Sequence, residues 1–136
     1  MKNIVIDSSA WIEYFKGNQK YYFIKELIYN NTICTNDIIL TELLPSIVHK
    51  KESNLAELLN TITKYVLSIN WQEIQNIQIL NLKHGNNNIG LSDIIIVQNC
   101  LQNNLKLVAN DKHFAAMSKY IQIEIYISYR GNLYVP

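Results

Sequence analysis

The chain has 136 residues, 49% of them hydrophobic and 17% charged, with a net charge of +1. That length suits one domain, residues 1–136, with one sheet covered by helices on both sides, and it is too short for two such units. No apolar run reaches the roughly 18 residues of a membrane span, and the start lacks a basic-then-apolar signal pattern, so a cytoplasmic protein with no membrane partner is the expectation.

Of the twelve basic residues only Arg130 is an arginine, so a nucleic-acid partner would have to be held by local lysines or by metal rather than by a general positive field. Cys34 and Cys100 lie in apolar stretches without ligand spacing and read as buried thiols.

In chain order, Ile4-Val5-Ile6 is a short β-branched run that reads as a strand buried on both faces, with Asp7 at its carboxyl end. Ser8 and Ser9 stand where a helix cap is expected, before apolar residues Trp11, Ile12 and Phe15 at helical spacing. Asp7 reads equally well as a cap or turn residue or as a ligand-facing carboxylate at a strand-to-helix turn. After a break at 17–19, residues 21–28 form a second helix ending near Asn30-Asn31, and 32–35 a second strand. Asn36-Asp37 caps a helix carrying Leu40, Leu43 and Leu44, with Glu42 inside that apolar patch and Pro45 either kinking or ending it.

A helix is expected over 52–65 and a third strand at Val66-Leu67-Ser68-Ile69. Trp71 opens a helix to about Lys83, followed by a polar loop at 84–88 and a helix from Gly90 to Asn103-Asn104, with Asp93 in its first turn. Residues 106–109 form a fourth strand, Asn110-Asp111 ends it, and a brief helix runs from 112 to about 118. Ile121, Ile123, Ile125 and Ile127 alternate with polar residues, the period of an edge strand with one exposed face. Residues 129–136 carry no pattern.

Strands alternating with helices imply an α/β fold, a three-layer α/β/α arrangement around a parallel sheet of about five strands. Asp7 and Asp111 then point toward one edge of that sheet, where open α/β sheets bind ligands. Carboxylates converging on one spot repel unless a cation neutralises them, and all-oxygen ligands favour Mg²⁺ or Mn²⁺, which serve phosphodiester hydrolysis. Asp37 reads as a cap, and Glu13, Glu26, Glu52, Glu57 and Glu73 as solvated. His49, His84 and His113 show no pairing that suggests ligation and read as surface or loop residues.

Four segments in order, Ile4-Val5-Ile6-Asp7-Ser8-Ser9-Ala10-Trp11-Ile12, Thr41-Glu42-Leu43, Leu91-Ser92-Asp93-Ile94-Ile95-Ile96 and Leu107-Val108-Ala109-Asn110-Asp111-Lys112-His113-Phe114, make the chain resemble the PIN-domain nucleases, and among them the VapC-type toxins of bacterial toxin–antitoxin pairs. The resemblance implies a PIN-like fold and an Mg²⁺- or Mn²⁺-dependent endoribonuclease in which Asp7, Glu42, Asp93 and Asp111 are the catalytic metal ligands. It also implies an RNA substrate, a cognate antitoxin and usually a homodimer. Ser9 matches the small polar residue that accompanies the first Asp. Ala109 departs from the pattern, since Thr often stands two residues before the last Asp, and a hydroxyl is missing there.

A haloacid-dehalogenase-type phosphatase would need an Asp where Ser9 stands, and a phosphorelay receiver would need one where Ile69-Asn70 stand. The remaining rival is a PIN-like protein that binds RNA or a partner without cutting. Lys16, Lys20, Lys50, Lys51 and Lys112 are the candidates for phosphate contact. Trp11, Tyr14, Phe15, Tyr22 and Phe23 are expected to leave an apolar surface for the antitoxin.

Overall fold

The structure is a computed structural model that describes residues 1–128 and 133–134. Its strands are β1 (Ile4–Ile6), β2 (Ile33–Thr35), β3 (Thr63–Lys64), β4 (Lys106–Val108) and β5 (Glu124–Ile125). They form a wholly parallel sheet in the order β3-β2-β1-β4-β5. The helices are α1 (Ser8–Phe15), α2 (Phe23–Tyr29), α3 (Asp37–His49), α4 (Ser53–Thr61), α5 (Trp71–Lys83), α6 (Leu91–Asn103) and α7 (Lys112–Met117). This is the three-layer α/β/α arrangement expected from the alternation of elements. Two further strands, β6 (Ile127–Ser128) and β7 (Leu133–Tyr134), pair antiparallel apart from the main sheet.

The sheet is built from runs that are apolar on both faces. Ile4, Val5 and Ile6 are all buried, as are Leu107 and Val108 opposite them on β4. The chain runs outward from β1 through β2 to β3, then crosses back to β4 on the other side of β1. The strand order therefore reverses between β1 and β4, the switch point at which a crevice opens beyond the carboxyl ends of the strands.

Local chemistry explains the helix boundaries. Asn36 caps α3 by accepting the Ile39 N–H at 3.0 Å, and Asn70 caps α5 by accepting the Glu73 N–H at 3.1 Å. Beyond α2 and α6 the chain turns through Asn31 and Asn104, at φ 56° and 53°, a left-handed conformation that Asn tolerates better than most residues with a side chain. Pro45 lies inside α3, which continues four residues past it.

Two strand expectations are corrected. The third strand lies at Thr63–Lys64, inside the expected helix, and α4 ends at Thr61. Residues 66–69 are irregular because amides of α6 take up their backbone groups in place of a ladder. Asn99 Nδ2 donates to Val66 O at 3.4 Å and Gln102 Nε2 to Ser68 O at 2.7 Å, while the Gln98 amide both donates to and accepts from the Asn70 backbone. The alternating isoleucines do not form one edge strand either. Glu124–Ile125 pair with β4, and Ile127 already belongs to the separate antiparallel pair.

The expected aromatic surface is corrected as well. Trp11 is fully buried, stacked on Phe15 at 5.4 Å and edge-on to Tyr14 at 6.1 Å, and Phe23 is buried against Tyr126 at 5.7 Å. Of the five, only Tyr22 is well exposed, so most of this cluster is core. Truncating a ring as enclosed as Trp11 would cost about 3–5 kcal/mol. Cys34 and Cys100 are buried free thiols, as expected, and burial pushes the Cys34 thiol up to about 12. No helix among the described residues is long and apolar enough to cross a membrane.

Candidate active site

Asp7 follows β1 directly and its backbone N–H donates to Val108 O at 2.8 Å, which fixes it against the end of β4. Its extended backbone (φ −65°, ψ 154°) makes it the cap of α1, one of the two roles its sequence position allowed, while Ser8 and Ser9 lie inside the helix. Asp7 Oδ2 accepts from the Ser9 N–H at 3.2 Å and from the Ser9 hydroxyl at 2.6 Å. Cap and candidate site residue are thus the same group. At 4% exposure, burial holds its carboxyl above the usual range; the Ser9 bonds oppose this and the Asp93 charge adds to it.

Asp111 repeats this placement at the end of β4. It caps α7, accepting the His113 N–H on Oδ1 at 2.9 Å. Ala109 is fully buried and brings no hydroxyl, yet this turn has one: Ser9 Oγ accepts the Asn110 N–H at 3.0 Å. Tyr21 donates its hydroxyl to Asn110 Oδ1 at 2.7 Å from the other side.

Asp93 reaches the crevice from the first turn of α6, whose next four residues, Ile94 to Val97, are all buried and anchor it. Burial raises the Asp93 carboxyl, the Asp111 charge raises it further, and His113 opposes both. Glu42 is exposed at the rim on α3, with Oε1 accepting the Ser8 hydroxyl at 3.2 Å. Desolvation raises it first, and the charges of Asp7 and Asp93 add to that. These charges link Asp7, Glu42 and Asp93 to one another, and Asp111 to Asp93.

One residue of the cluster was missed. His113, read as a loop or surface residue, places Nδ1 3.3 Å from Asp93 Oδ2 and 3.3 Å from Asp111 Oδ1. Ligand atoms of these three side chains lie within 4.8 Å of one another. The signal in the sequence was the spacing Asp-x-His at a helix start, since a capping Asp lies beside the residue two positions on. His49 and His84 stay outside; His84 stacks on Tyr120 at 3.9 Å.

Among the other acids, Asp37 lies in the first turn of α3 and pairs with Lys64 at 3.0 Å. Glu13, read as solvated, accepts from Asn18 Nδ2 at 3.0 Å and pairs with Lys16 at 3.5 Å. Lys20, Lys51 and Lys112 are exposed. A groove of about 280 Å³ between α1 and α3 runs past Glu42 and is lined by Ile12, Phe15, Leu43, Lys16 and Lys50.

A parallel α/β/α sheet with carboxylates gathered at its switch point defines a class of protein suited to binding a divalent cation and a phosphate ester there. The family profile described as PIN domain matches residues 4–120, and the chain belongs to the PIN domain family, whose members are generally nucleases.

Solved structures agree on the fold. A chain in the crystal structure of DNA-bound VapBC from Salmonella typhimurium aligns with TM-score 0.71 at 18% identity, over 93% of this chain and 98% of its own. VapBC2 from Rickettsia felis bound to a DNA fragment from its promoter gives 0.68 at 19% identity, over 90% and 96%. A toxin-antitoxin complex from Klebsiella pneumoniae gives 0.58 at 18%, over 80% and 87%. No curated protein is a significant match by sequence.

Proposed function

We propose that the chain is an Mg²⁺- or Mn²⁺-dependent endoribonuclease, a cytoplasmic VapC-type toxin whose whole length is one PIN domain. Its catalytic residues in this reading are Asp7, Glu42, Asp93 and Asp111, and its partners are an RNA substrate, a cognate antitoxin and a second copy of itself. The observation that carries the reading is that Asp7 and Asp111 end the adjacent strands β1 and β4 with Asp93 close to Asp111, while burial and neighbouring carboxylate charge hold Asp7, Glu42 and Asp93 above their ordinary pKa. Such a cluster is relieved by a divalent cation, and its oxygen donors suit Mg²⁺ or Mn²⁺. The solved neighbours described as toxin–antitoxin or VapBC complexes support the antitoxin.

Asp7, Glu42, Asp93 and Asp111 would hold the ion, which when bound would polarise the phosphate and lower the pKa of a bound water. Ser9 locks the Asp7 carboxylate and ties it to the Asp111 turn, so the two strand ends keep one spacing. Glu42 has one oxygen engaged by Ser8 and a second left to orient the attacking water and accept its proton. Lys16 and Lys50, along the groove beside Glu42, would neutralise phosphates on either side of the scissile bond.

The test is incubation of purified protein with RNA, with Mg²⁺ or Mn²⁺ or with excess EDTA. Internal cleavage that EDTA abolishes is the expected result, and cleavage undiminished by chelator overturns the metal mechanism. RNA that is retained but never cut would favour the binding-protein reading.

A further inference from the structure

Taking the acids as metal ligands, as proposed above, we infer that His113 Nδ1 is a further ligand, placed between Asp93 and Asp111, and that this nitrogen makes the site prefer Mn²⁺ to Mg²⁺. The placement is built into the fold. Asp111 caps α7 through the His113 backbone N–H, and Phe114, the next residue, is fully buried and anchors that turn. The imidazole is left 39% exposed beside an Asp93 side chain that is 18% exposed, so an ion can reach the space between them from solvent.

The distances fit ligation as well as they fit an ion pair. Nδ1 is equally far, 3.3 Å, from an oxygen of each aspartate. Charge-assisted N–H···O bonds are shorter, about 2.7–2.9 Å. Ligand atoms at right angles around an ion at about 2.1 Å lie about 3.0 Å apart, and somewhat more around a larger ion. Nδ1 thus stands from each of the two oxygens at a spacing close to an edge of a coordination octahedron, and the ligand atoms of all three side chains lie within 4.8 Å of one another. As an N–H donor to the carboxylates or as a lone-pair donor to an ion between them, Nδ1 would occupy the same position, and the metal decides which role it takes.

The choice of ion follows from ligand type. Mg²⁺ keeps water and oxygen ligands, whereas first-row transition ions accept an imidazole nitrogen, Mn²⁺ the most weakly of them but more readily than Mg²⁺. Of the two ions the acids would accept, the histidine selects Mn²⁺.

The experiment is pulsed EPR on the full-length protein loaded with Mn²⁺, which detects a coordinated ¹⁴N nucleus, together with competition between Mn²⁺ and Mg²⁺. Wild type should show imidazole ¹⁴N modulation and bind Mn²⁺ more tightly than Mg²⁺. His113→Gln should lose the modulation and about tenfold of the preference, the scale of effect expected on perturbing a metal site's support. His49→Gln and His84→Gln should keep both. A wild-type sample with ¹⁵N-labelled histidine should replace the ¹⁴N signal with ¹⁵N, a check that needs no substitution. Bound Mn²⁺ without nitrogen modulation in wild type, or modulation that survives His113→Gln, overturns the assignment while leaving the acids as ligands. A protein that binds no Mn²⁺ overturns both this assignment and the metal-dependent reading beneath it.

Discussion

The Ser9 hydroxyl donates to Asp7 Oδ2 at 2.6 Å and at the same time accepts the Asn110 N–H at 3.0 Å. One small side chain therefore fixes the first acid and joins it to the turn that carries the last. Ser9→Ala removes both bonds. It should cost about 1 kcal/mol of stability, because the Ser9 N–H still caps through Asp7. Activity should fall further, by about 10–100-fold, because an acid that has lost its support no longer holds its geometry. Urea melts beside RNA cleavage rates check this, and a loss of activity no larger than the loss of folded protein would count against it.

The raised acids make a prediction about pH. Asp7, Asp93 and Glu42 lie above their ordinary values of 3.8, 3.8 and 4.5 when the chain is folded, so between those values and the raised ones the folded state binds more protons than the unfolded. Stability from these groups is then fully present at low pH and is lost as pH rises through the raised values, the reverse of ordinary acid denaturation. Asp7→Asn removes the largest buried part of this effect. In metal-free buffer the variant should melt higher than wild type at pH 7, and the gap should shrink on acidification toward the ordinary carboxylate range. A gap that does not change with pH would refute the sign.

Metal should act in the opposite direction from the apo repulsion. Neutralising Asp93 as Asp93→Asn relieves its repulsion with Asp7 and Asp111, so apo stability should stay level or rise slightly while cleavage is lost. Wild type should gain melting temperature with Mg²⁺ or Mn²⁺, and the variant much less, since ligand stabilises only the state that binds it. A variant that melts lower, keeps the metal shift and still cuts RNA per folded molecule would remove Asp93 from the ligand set.

Why some of this was legible in the sequence and some was not has a physical basis. β1 and β4, and the acids after them, were legible because a short apolar run followed within a few residues by Asp at a strand-to-helix turn carries its structure locally. Residues 66–69 have the same apolar signature and form no strand, because side chains some thirty residues on take up the backbone here: Asn99 bonds Val66, Gln102 bonds Ser68, and Gln98 bonds the following Asn70. Helical spacing marked Trp11 and Phe15 as one face of α1 but did not say that the face would be enclosed. His113 was invisible as a site residue for a similar reason: one of its two partners, Asp93, lies on another helix, and only the packing of α6 against α7 brings them together.

That amide clamp supplies a contrasting prediction. Gln98 is 1% exposed on α6 and uses both ends of its side chain: Nε2 donates to Asn70 O at 3.0 Å and to Glu73 Oε1 at 2.7 Å, and Oε1 accepts the Asn70 N–H at 3.2 Å. These bonds seat the start of α5 against α6 and hold the irregular stretch that replaces the expected strand. Gln98→Ala strips the Asn70 N–H of its partner, leaves Asn70 O with only the Ile74 N–H at 3.1 Å, and opens space in the core, so stability should fall by about 2–4 kcal/mol. Gln98 touches none of the four acids, and the buried residues Ile94 to Val97 still anchor Asp93. Cleavage per folded molecule and the Mg²⁺ or Mn²⁺ shift in melting temperature should therefore stay near wild type below the variant's own melt. Denaturant unfolding at matched temperature, beside cleavage rates corrected for folded fraction, separates this from Asp93→Asn, in which activity goes and stability stays. If Gln98→Ala left stability within about 0.5 kcal/mol, as an ordinary surface change does, the clamp would not be what holds residues 66–70 in place.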